Sequence, residues 1–367
     1  MSTEIIDDGR DLIAEYAAAM RPFIECGGPI PHDAFNTRSW RYFVEINSGC
    51  NLRCVLCAVG NRKGYEHVNA TMDMGLLEKI LDKIKSENPN AIVLPYGNSE
   101  PFLNPHLPEC LTAIKQRGLR CDLATNLNHL NRLDEVLDAG MNSLLISVSG
   151  FTQETYGKSH VGGNIEVVKA NMLILKEALA KCKHPPHTMV HYHMYRDSLG
   201  EEFDKMKAFT EKTLGFQFIN SWARSITMEN TISYLREREK ERTGSVPPIP
   251  VKEGGDDWNK ILPPVSDMFK KSIGRLSISP EKAVEMYAAF PTQKVCPVGD
   301  IFCFIRHDGQ ATLCGCVSDR RLMIGSYLDY TQEQMSARRR GNPICHECLR
   351  YRLNLYFHVV DGAQFNL

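Results

Sequence analysis

Three cysteines, Cys50, Cys54 and Cys57, stand in the spacing C-x₃-C-x₂-C, written Cys50-Asn-Leu-Arg-Cys54-Val-Leu-Cys57. Three thiolates on so short a stretch can bind three irons of a cubane and leave the fourth iron without a protein ligand. Structural zinc sites take four ligands, often as C-x₂-C pairs, and closed iron–sulfur sites usually carry four cysteines. The incomplete triad implies that an exogenous molecule completes the coordination; the competing reading is a zinc knuckle completed by a histidine such as His67. A second group comprises Cys296, Cys303, Cys314, Cys316, Cys345 and Cys348. Within it Cys345-His-Glu-Cys348 is a C-x₂-C bite, and His307 to Cys314 reads as a β-hairpin turning at Asp308-Gly309. A hairpin presents thiols on a rigid edge, suitable for a metal, and a four-cysteine zinc hairpin is the rival reading for this segment. Cys26, Cys110, Cys121 and Cys182 are scattered and read as small buried hydrophobes.

The elements that must position these groups alternate regularly. Strand signals fall at Arg41–Ile46, Ala91–Tyr96, Leu119–Thr125, Ser143–Val148, Thr188–Met194 and Phe216–Asn220. Helical patterns lie between them. Leu76, Leu77, Ile80, Leu81 and Ile84 share one face at a 3.6-residue period. The next helix starts near Pro108 and stops at Gly118. Leu130–Ala139, Ile165–Ala180 and Leu199–Leu214 complete the series. Strands alternating with helices imply α/β architecture, a parallel sheet with right-handed crossovers. Six units are too few for the usual eight-stranded barrel, so the expected fold is an open, partial (β/α)6 TIM-like barrel. Reactive groups in such folds sit in loops after the carboxyl ends of strands. The first of those loops, residues 47–72, is the longest and holds the first cysteine group.

Around this barrel the sequence divides into an N-terminal helical extension (1–37, with a helix at Leu12 to Met20), the barrel (38–225), a helical insertion or linker (226–290) and a small β-hairpin domain with the second cysteine group (291–367). Leu235-Arg-Glu-Arg-Glu-Lys-Glu-Arg242 reads as a charged, solvated helix, and Ala337-Arg-Arg-Arg340 as a solvated helix end. Pro247-Pro-Ile-Pro250 and Gly254-Gly255 are linker-like.

Composition narrows the class. The 367 residues are 43% hydrophobic, enough for a sizeable core, and the net charge is −1. No basic face for nucleic acid and no ~20-residue apolar span for a membrane is evident. The acidic N-terminus does not read as a signal peptide. A cytoplasmic protein is expected, and its thirteen cysteines are read as metal-binding or catalytic, not as a disulfide framework.

The triad, in the loop after the first strand of a β/α series, resembles the radical S-adenosylmethionine (SAM) superfamily. That resemblance implies an enzyme with a [4Fe–4S] cluster on Cys50, Cys54 and Cys57, whose open iron is chelated by SAM. Reduction then gives methionine and a 5′-deoxyadenosyl radical, with a flavodoxin- or ferredoxin-type protein as electron donor. Gly97-Asn-Ser-Glu-Pro-Phe-Leu-Asn-Pro105 resembles the family's glycine–glutamate motif, departing at Asn98-Ser99; Gly97 and Glu100 carry over, with Glu100 receiving the SAM amino group. Thr125, Asn126 and Asn128, then Ser147 and Ser149, match segments that contact SAM polar groups. Leu56 stands where many members place an aromatic ring near the adenine. Ser149 to Tyr156, Gly162-Gly163 and Asn171 resemble a subgroup with SPASM or Twitch extensions. The 17-residue gap from Cys296 to Cys314, followed by C-x₂-C, is similar to the Twitch arrangement. It implies one auxiliary [4Fe–4S] cluster on Cys296, Cys314, Cys345 and Cys348. Cys303 and Cys316 are left over. Cys314 and Cys316 share a strand face, so Cys316 is a candidate alternate ligand or hydrogen-atom donor.

Inner strand faces near the mouth offer Tyr96, His191, His193 and Tyr195 to a substrate. His191 and His193 share a face by period two, and either is a candidate base for a carbinol proton. The expected substrate is a small hydroxylated metabolite, sugar- or cyclitol-like, oxidised or epimerised by a radical oxidoreductase. The alternatives are radical carbon–carbon or carbon–heteroatom bond formation in natural-product biosynthesis, peptide modification, and a non-catalytic iron–sulfur carrier or zinc scaffold.

Overall fold

The computed structural model describes residues 40–58, 60, 70–288, 296 and 302–358. The expected helix at Leu12 to Met20, Cys26 and His67 lie outside them. The sheet begins at β1 (Arg41–Val44), whose side chains alternate between the two faces: Tyr42 and Val44 are fully buried, while Arg41 and Phe43 look the other way. Five further strands follow in parallel: β2 (Ile92–Leu94), β3 (Arg120–Thr125), β4 (Ser143–Val148), β5 (His187–Met194) and β6 (Gln217–Trp222).

Helices pack on the outer face between them. In α1 (Met74–Glu87) the buried residues are Leu77, Ile80, Leu81 and Ile84, the expected apolar stripe, and Asp73 caps the helix by accepting from the Leu76 amide at 3.0 Å. The others are α2 (Leu107–Gln116), α3 (Leu133–Ala139), α4 (Ile165–Lys181) and α5 (Glu201–Ala208). The helical pattern expected over Leu199–Leu214 divides: α5 is regular, and Phe209–Leu214 winds as a π-helix ending on Gly215 at φ +75°.

The second cysteine group folds onto the same sheet. β7 (Phe302–Ile305) pairs in parallel with the free edge of β1, Arg41 opposite Phe302 through Val44 opposite Ile305. β8 (Gln310–Thr312) and β9 (Met323–Ser326) follow antiparallel. The hairpin turns where expected, with Gly309 at φ +78°. The result is one nine-stranded, mostly parallel sheet in the order β6-β5-β4-β3-β2-β1-β7-β8-β9, open at β6 and β9. The α/β class and the unclosed parallel sheet match expectation.

Between β6 and β7 lie α6 (Met228–Thr243), α7 (Asp267–Ile273) and α8 (Pro280–Tyr287); α9 (Gln332–Arg340), α10 (Pro343–Arg350) and α11 (Leu353–His358) close the described chain. Two charged segments differ from the solvated reading. Arg236 on α6 meets the buried Glu347 of α10 at 2.5 Å, and Arg350 of α10 bridges Glu347 and Glu239. Opposite charges on facing helices pair across the contact and lock α6 to the helix bearing Cys345 and Cys348. In α9, Arg339 is buried and donates through Nε to the Leu313 carbonyl at 2.8 Å. No helix among the described residues is long and apolar enough to cross a membrane.

β7 is pinned to β1 by ring contacts, since Phe43 stacks on Phe304 with centroids 4.5 Å apart. Gly315 lies against that pair: a Cβ there would stand 2.2 Å from the Phe304 ring. Gly315→Ala is expected to displace Phe304 and lower stability by about 1–3 kcal/mol, read as a reduced urea midpoint at unchanged slope.

Candidate active site

The carboxyl ends of the parallel strands gather both cysteine groups. The loop leaving β1 carries Cys50, Cys54 and Cys57, all half-buried. It is held at several points. Asn47 Nδ2 donates to the carbonyls of Gly49 and Glu100, each at 3.1 Å, and the Glu100 amide donates to the Gly49 carbonyl at 2.9 Å. The Cys57 amide closes a turn on the Cys54 carbonyl at 3.0 Å. Cys50 Sγ lies 3.4 Å from the Leu52 amide and 3.7 Å from Asn126 Nδ2. Burial first, then the Glu100 carboxylate and Cys57, pushes Cys50 up to about 12, and burial, Cys57 and Cys50 hold Cys54 well above its ordinary range. Three soft donors on one turn, protonated until a metal displaces their protons, fit the three-point attachment of a cubane. Among the described residues no three His, Cys, Asp or Glu side chains converge on a single-ion site.

Glu100 follows β2 and is 2% exposed. Its Oε1 accepts from the Thr125 hydroxyl at 2.7 Å and the Phe102 amide at 3.2 Å, and its Oε2 from the Asn126 amide at 2.8 Å. Burial outweighs these three donors and raises its pKa from 4.5 to about 7. Thr125 and Asn126 thus reach the site through Glu100. Asn128 is anchored by the Tyr156 hydroxyl at 2.7 Å and accepts from the Asn164 amide at 2.7 Å. Gly97 packs against Glu45, whose Oε1 accepts the Asn98 amide at 2.8 Å. Leu56 is buried beneath the loop, and its carbonyl accepts from the Ile226 amide at 2.9 Å. The hydroxyl of Ser149 is turned into the interior, bonded to Ser159 at 2.6 Å and His160 Nδ1 at 2.7 Å.

A cavity of about 330 Å³ opens inside the strand ends. Gly97, Ser147, His191 and His193 line it from β2, β4 and β5, and Tyr96 joins them. Cys314 and Cys316 line it from the loop after β8. The two cysteine groups are tied directly, since Asn98 Nδ2 donates to the Gly315 carbonyl at 3.3 Å. Tyr195 lies outside this lining, under the Arg275 guanidinium at 4.6 Å. His191 bonds Ser221 Oγ at 2.7 Å, and its ring lies 4.2 Å from that of His193. Burial, then the charge of Arg224, lowers His193 to about 4; burial, His193 and Arg224 hold His191 well below its ordinary range. Both rings are neutral at pH 7.

In the second group, Cys348 feels Cys296, Cys314 and Cys345, and Cys345 feels Cys314 and Cys296. These influences bring thiols of three separate chain segments into one neighbourhood. Cys316 is hydrogen-bonded to Cys314. Cys303 is apart from them: fully buried on β7, it interacts with Arg339, Glu87 and Lys83 on the helical side of the sheet. Cys110 and Cys121 are buried, as expected of core thiols.

Sequence reasoning passed over three charged residues of the cavity wall, Glu45, Arg224 and Arg306. None belongs to a motif. The available signal was position, since each stands within two residues of the carboxyl end of a strand, β1, β6 and β7 respectively.

Residues 44–204 match the family described as the radical SAM superfamily. Two curated relatives share part of it. A probable GTP 3′,8-cyclase of Methanococcus maripaludis is 33% identical over 134 residues, 36% of this chain and 43% of its own. The tungsten-containing aldehyde ferredoxin oxidoreductase cofactor-modifying protein of Pyrococcus furiosus is 26% identical over 136 residues, 36% of this chain and 37% of its own. The matched segment thus spans about two-fifths of each relative. Among solved structures, native anSMEcpe with bound AdoMet aligns over 84% of this chain and 82% of its own, with TM-score 0.47 and 16% identity. BtrN in complex with AdoMet and 2-DOIA aligns over 89% of each chain, with TM-score 0.39 and 13% identity.

The Glu100 environment sets a pH dependence. Its folded pKa exceeds its ordinary 4.5, so the folded chain holds the proton more tightly than the unfolded chain, and stability falls as pH rises between the two values. Relative to Glu100→Gln, the metal-free protein should lose about 3 kcal/mol between pH 4.5 and 7 and nothing further above that, measured by urea unfolding of both proteins across the range.

Proposed function

We propose that this chain is a radical SAM enzyme that oxidises or epimerises a small hydroxylated metabolite, sugar- or cyclitol-like, in the cavity at the strand ends. Cys50, Cys54 and Cys57 hold a [4Fe–4S] cluster, and SAM completes its coordination. When bound, the pair supplies a one-electron reductive cleavage that yields methionine and a 5′-deoxyadenosyl radical, the electron coming from a flavodoxin- or ferredoxin-type donor. The supporting observation is the shared cavity: Gly97 after β2, Ser147 of β4 and His191 and His193 of β5 line it together with Cys314 and Cys316.

The chain's own residues divide the remaining tasks. Glu100 faces the amino group of SAM from beneath Cys50, and its three donors keep the carboxylate oriented. Ser147 on the cavity wall, with Thr125, Asn126 and Asn128 about Glu100, supplies polar groups for SAM, Ser149 stands behind them on Ser159 and His160, and Leu56 supplies apolar support. His191 and His193, neutral and adjacent, accept hydrogen bonds from substrate hydroxyls; with His193 lowered to about 4, neither is matched to hold a carbinol proton at pH 7. Cys296, Cys314, Cys345 and Cys348 would hold one auxiliary [4Fe–4S] cluster, which would supply an electron acceptor for carbinol oxidation. Cys316, on the cavity wall, is placed to return a hydrogen atom if the outcome is epimerisation. The partial likeness to a probable GTP 3′,8-cyclase favours bond formation as the second reading, with the same radical-generating half.

Anaerobically reconstituted protein, reduced with dithionite in the presence of SAM, should form 5′-deoxyadenosine, detected by mass spectrometry, and Cys54→Ala should reduce it to background. Iron analysis should give about eight atoms per chain, falling to about four in a Cys345→Ala, Cys348→Ala double variant. No 5′-deoxyadenosine from the wild type sinks the proposal, and about four irons in the wild type removes the auxiliary cluster.

A further inference from the structure

The cavity at the strand ends does not stop at the level of the histidines. A second hollow of about 270 Å³ adjoins it, and Phe43, Tyr96, Leu145, Arg224, Phe304 and Phe357 line both. The hollow reaches toward the amino ends of the strands, since Arg41, Ser143 and Phe302, the first residues of β1, β4 and β7, also line it. Alternation along the strands gives the two spaces different walls. On β4, Ser147 faces the upper space and Leu145 both; on β5, His191 and His193 face the upper space and Met189 the lower. In the sheet register Leu145 stands opposite Met189 and Phe43 opposite Phe304. A polar level at the mouth therefore gives way to an apolar, aromatic level beneath it. The Phe43 ring meets Tyr96 edge-on with centroids 5.6 Å apart and Phe302 at 6.0 Å. The floor is charged: Arg41 and Asp122 line it, and Asp122 accepts from Arg120 Nε at 3.1 Å.

A closed eight-stranded barrel fills its interior with its own side chains. This sheet is open at β6 and β9, and Phe43, Leu145 and Phe304 stay only half-buried although they face inward. Apolar side chains around an unfilled space forfeit contacts, so an apolar occupant is favoured there. A dry cavity of ~150 Å³ accepts a benzene ring, and this hollow is larger. Resting on the function proposed above, we infer that the substrate is a hydroxylated compound bearing an apolar ring, and that the hollow beneath the histidines receives the ring. The hydroxylated carbon then stays level with His191 and Cys316 in the upper space. Phe43, Leu145 and Phe304, at the junction, set the height at which the reacting carbon is held. A bare sugar or cyclitol would leave the lower level empty and lose the contacts that fix that height.

The test is thermal unfolding of the anaerobically reconstituted chain with benzyl alcohol, phenyl β-D-glucopyranoside or methyl β-D-glucopyranoside, with and without saturating SAM. A ring-bearing probe should raise the midpoint saturably, by about 2 °C at tenfold saturation, and the methyl glycoside should give the smaller shift of the two glycosides. The shift should persist with SAM bound, because the hollow lies toward the amino ends of the strands and the three-cysteine loop leaves a carboxyl end. It should vanish in Ile219→Trp, which puts an indole into the hollow that Ile219 lines. Met189→Phe, a milder filling, should weaken the ring-bearing probes roughly fivefold and serves if the tryptophan variant does not fold. Four results overturn the inference: no saturable shift with either ring-bearing probe, a methyl glycoside that matches the phenyl glycoside, a shift unchanged in both variants, or a shift abolished by SAM, which would give the hollow to the adenine. Assaying 5′-deoxyadenosine on the same wild-type preparation separates the two failures. Its formation without a ring effect refutes only the substrate class, and its absence refutes the enzymatic proposal itself.

Discussion

The pairing of β7 with β1 is the contact on which the rest of the molecule depends. β1 is flanked by parallel neighbours on both sides, β2 through Arg41–Phe43 and β7 through Arg41–Val44, and the Glu45 amide extends the second ladder to the Ile305 carbonyl at 2.8 Å. The three-cysteine loop leaves the carboxyl end of this strand, and Arg306 and the hairpin leave the carboxyl end of β7 beside it. Parallel registry forces both exits to the same edge of the sheet. A hairpin in a separate, loosely linked domain would not hold Gly315 within reach of Asn98. Here that bond forms across 217 residues of sequence. Stacking of Phe43 on Phe304 fills the inner face below it, so the ladder and the aromatic pair specify one arrangement together.

Electrostatics then distinguishes the cavity from the ground behind it. Behind Gly97 and Asn98, outside the lining itself, a buried carboxylate, Glu100, is carried on three donated hydrogen bonds, and burial raises its pKa to about 7. In the cavity wall, guanidinium groups stand with two histidines stripped of charge by burial and by Arg224. The walls between are apolar, with Phe43, Leu145, Ile226 and Val317 among the lining residues. Low polarity strengthens each remaining charge. The proposed chemistry needs such a space, since a reactive carbon radical must meet one chosen hydrogen and little else.

Much of this was legible in the sequence because its signals are local. The apolar stripe Leu77, Ile80, Leu81, Ile84 identifies α1, the Asp308-Gly309 turn gives the hairpin, and each of the six parallel strands falls on its expected segment within a few residues. Glu100 was found because the segment Gly97 to Pro105 resembles a glycine–glutamate motif. What escaped is non-local. Phe302-Cys-Phe-Ile305 is a four-residue run with no alternation to declare its partner, so its place beside β1, some 260 residues earlier, could not be read. Charge partners are equally silent: the run Leu235 to Arg242 looks solvated until α10 supplies Glu347 and Arg350. Arg339 is indistinguishable in sequence from its exposed neighbours, yet it is the one whose guanidinium reaches the Leu313 carbonyl.

That last contact bears on the second cysteine group. Leu313 precedes Cys314, so α9 fixes the hairpin's exit through Arg339. The N-terminus of α6 fixes the following turn: the Met228 amide donates to the Cys316 carbonyl at 2.8 Å, and Glu229 accepts from the Ser318 and Asp319 amides at 2.6 and 2.8 Å. The same α6 grips α10, and with it Cys345 and Cys348, through Arg236 and Glu239. One helix therefore orients thiols arriving from two distant segments. Charged partners suit that task because a misplaced α10 would take the buried Glu347 away from Arg236, which costs more than a lost apolar contact. The charged stretch between β6 and β7 is in this sense a jig for the four thiols, and its ion pairs do by geometry what a single continuous loop does for Cys50, Cys54 and Cys57.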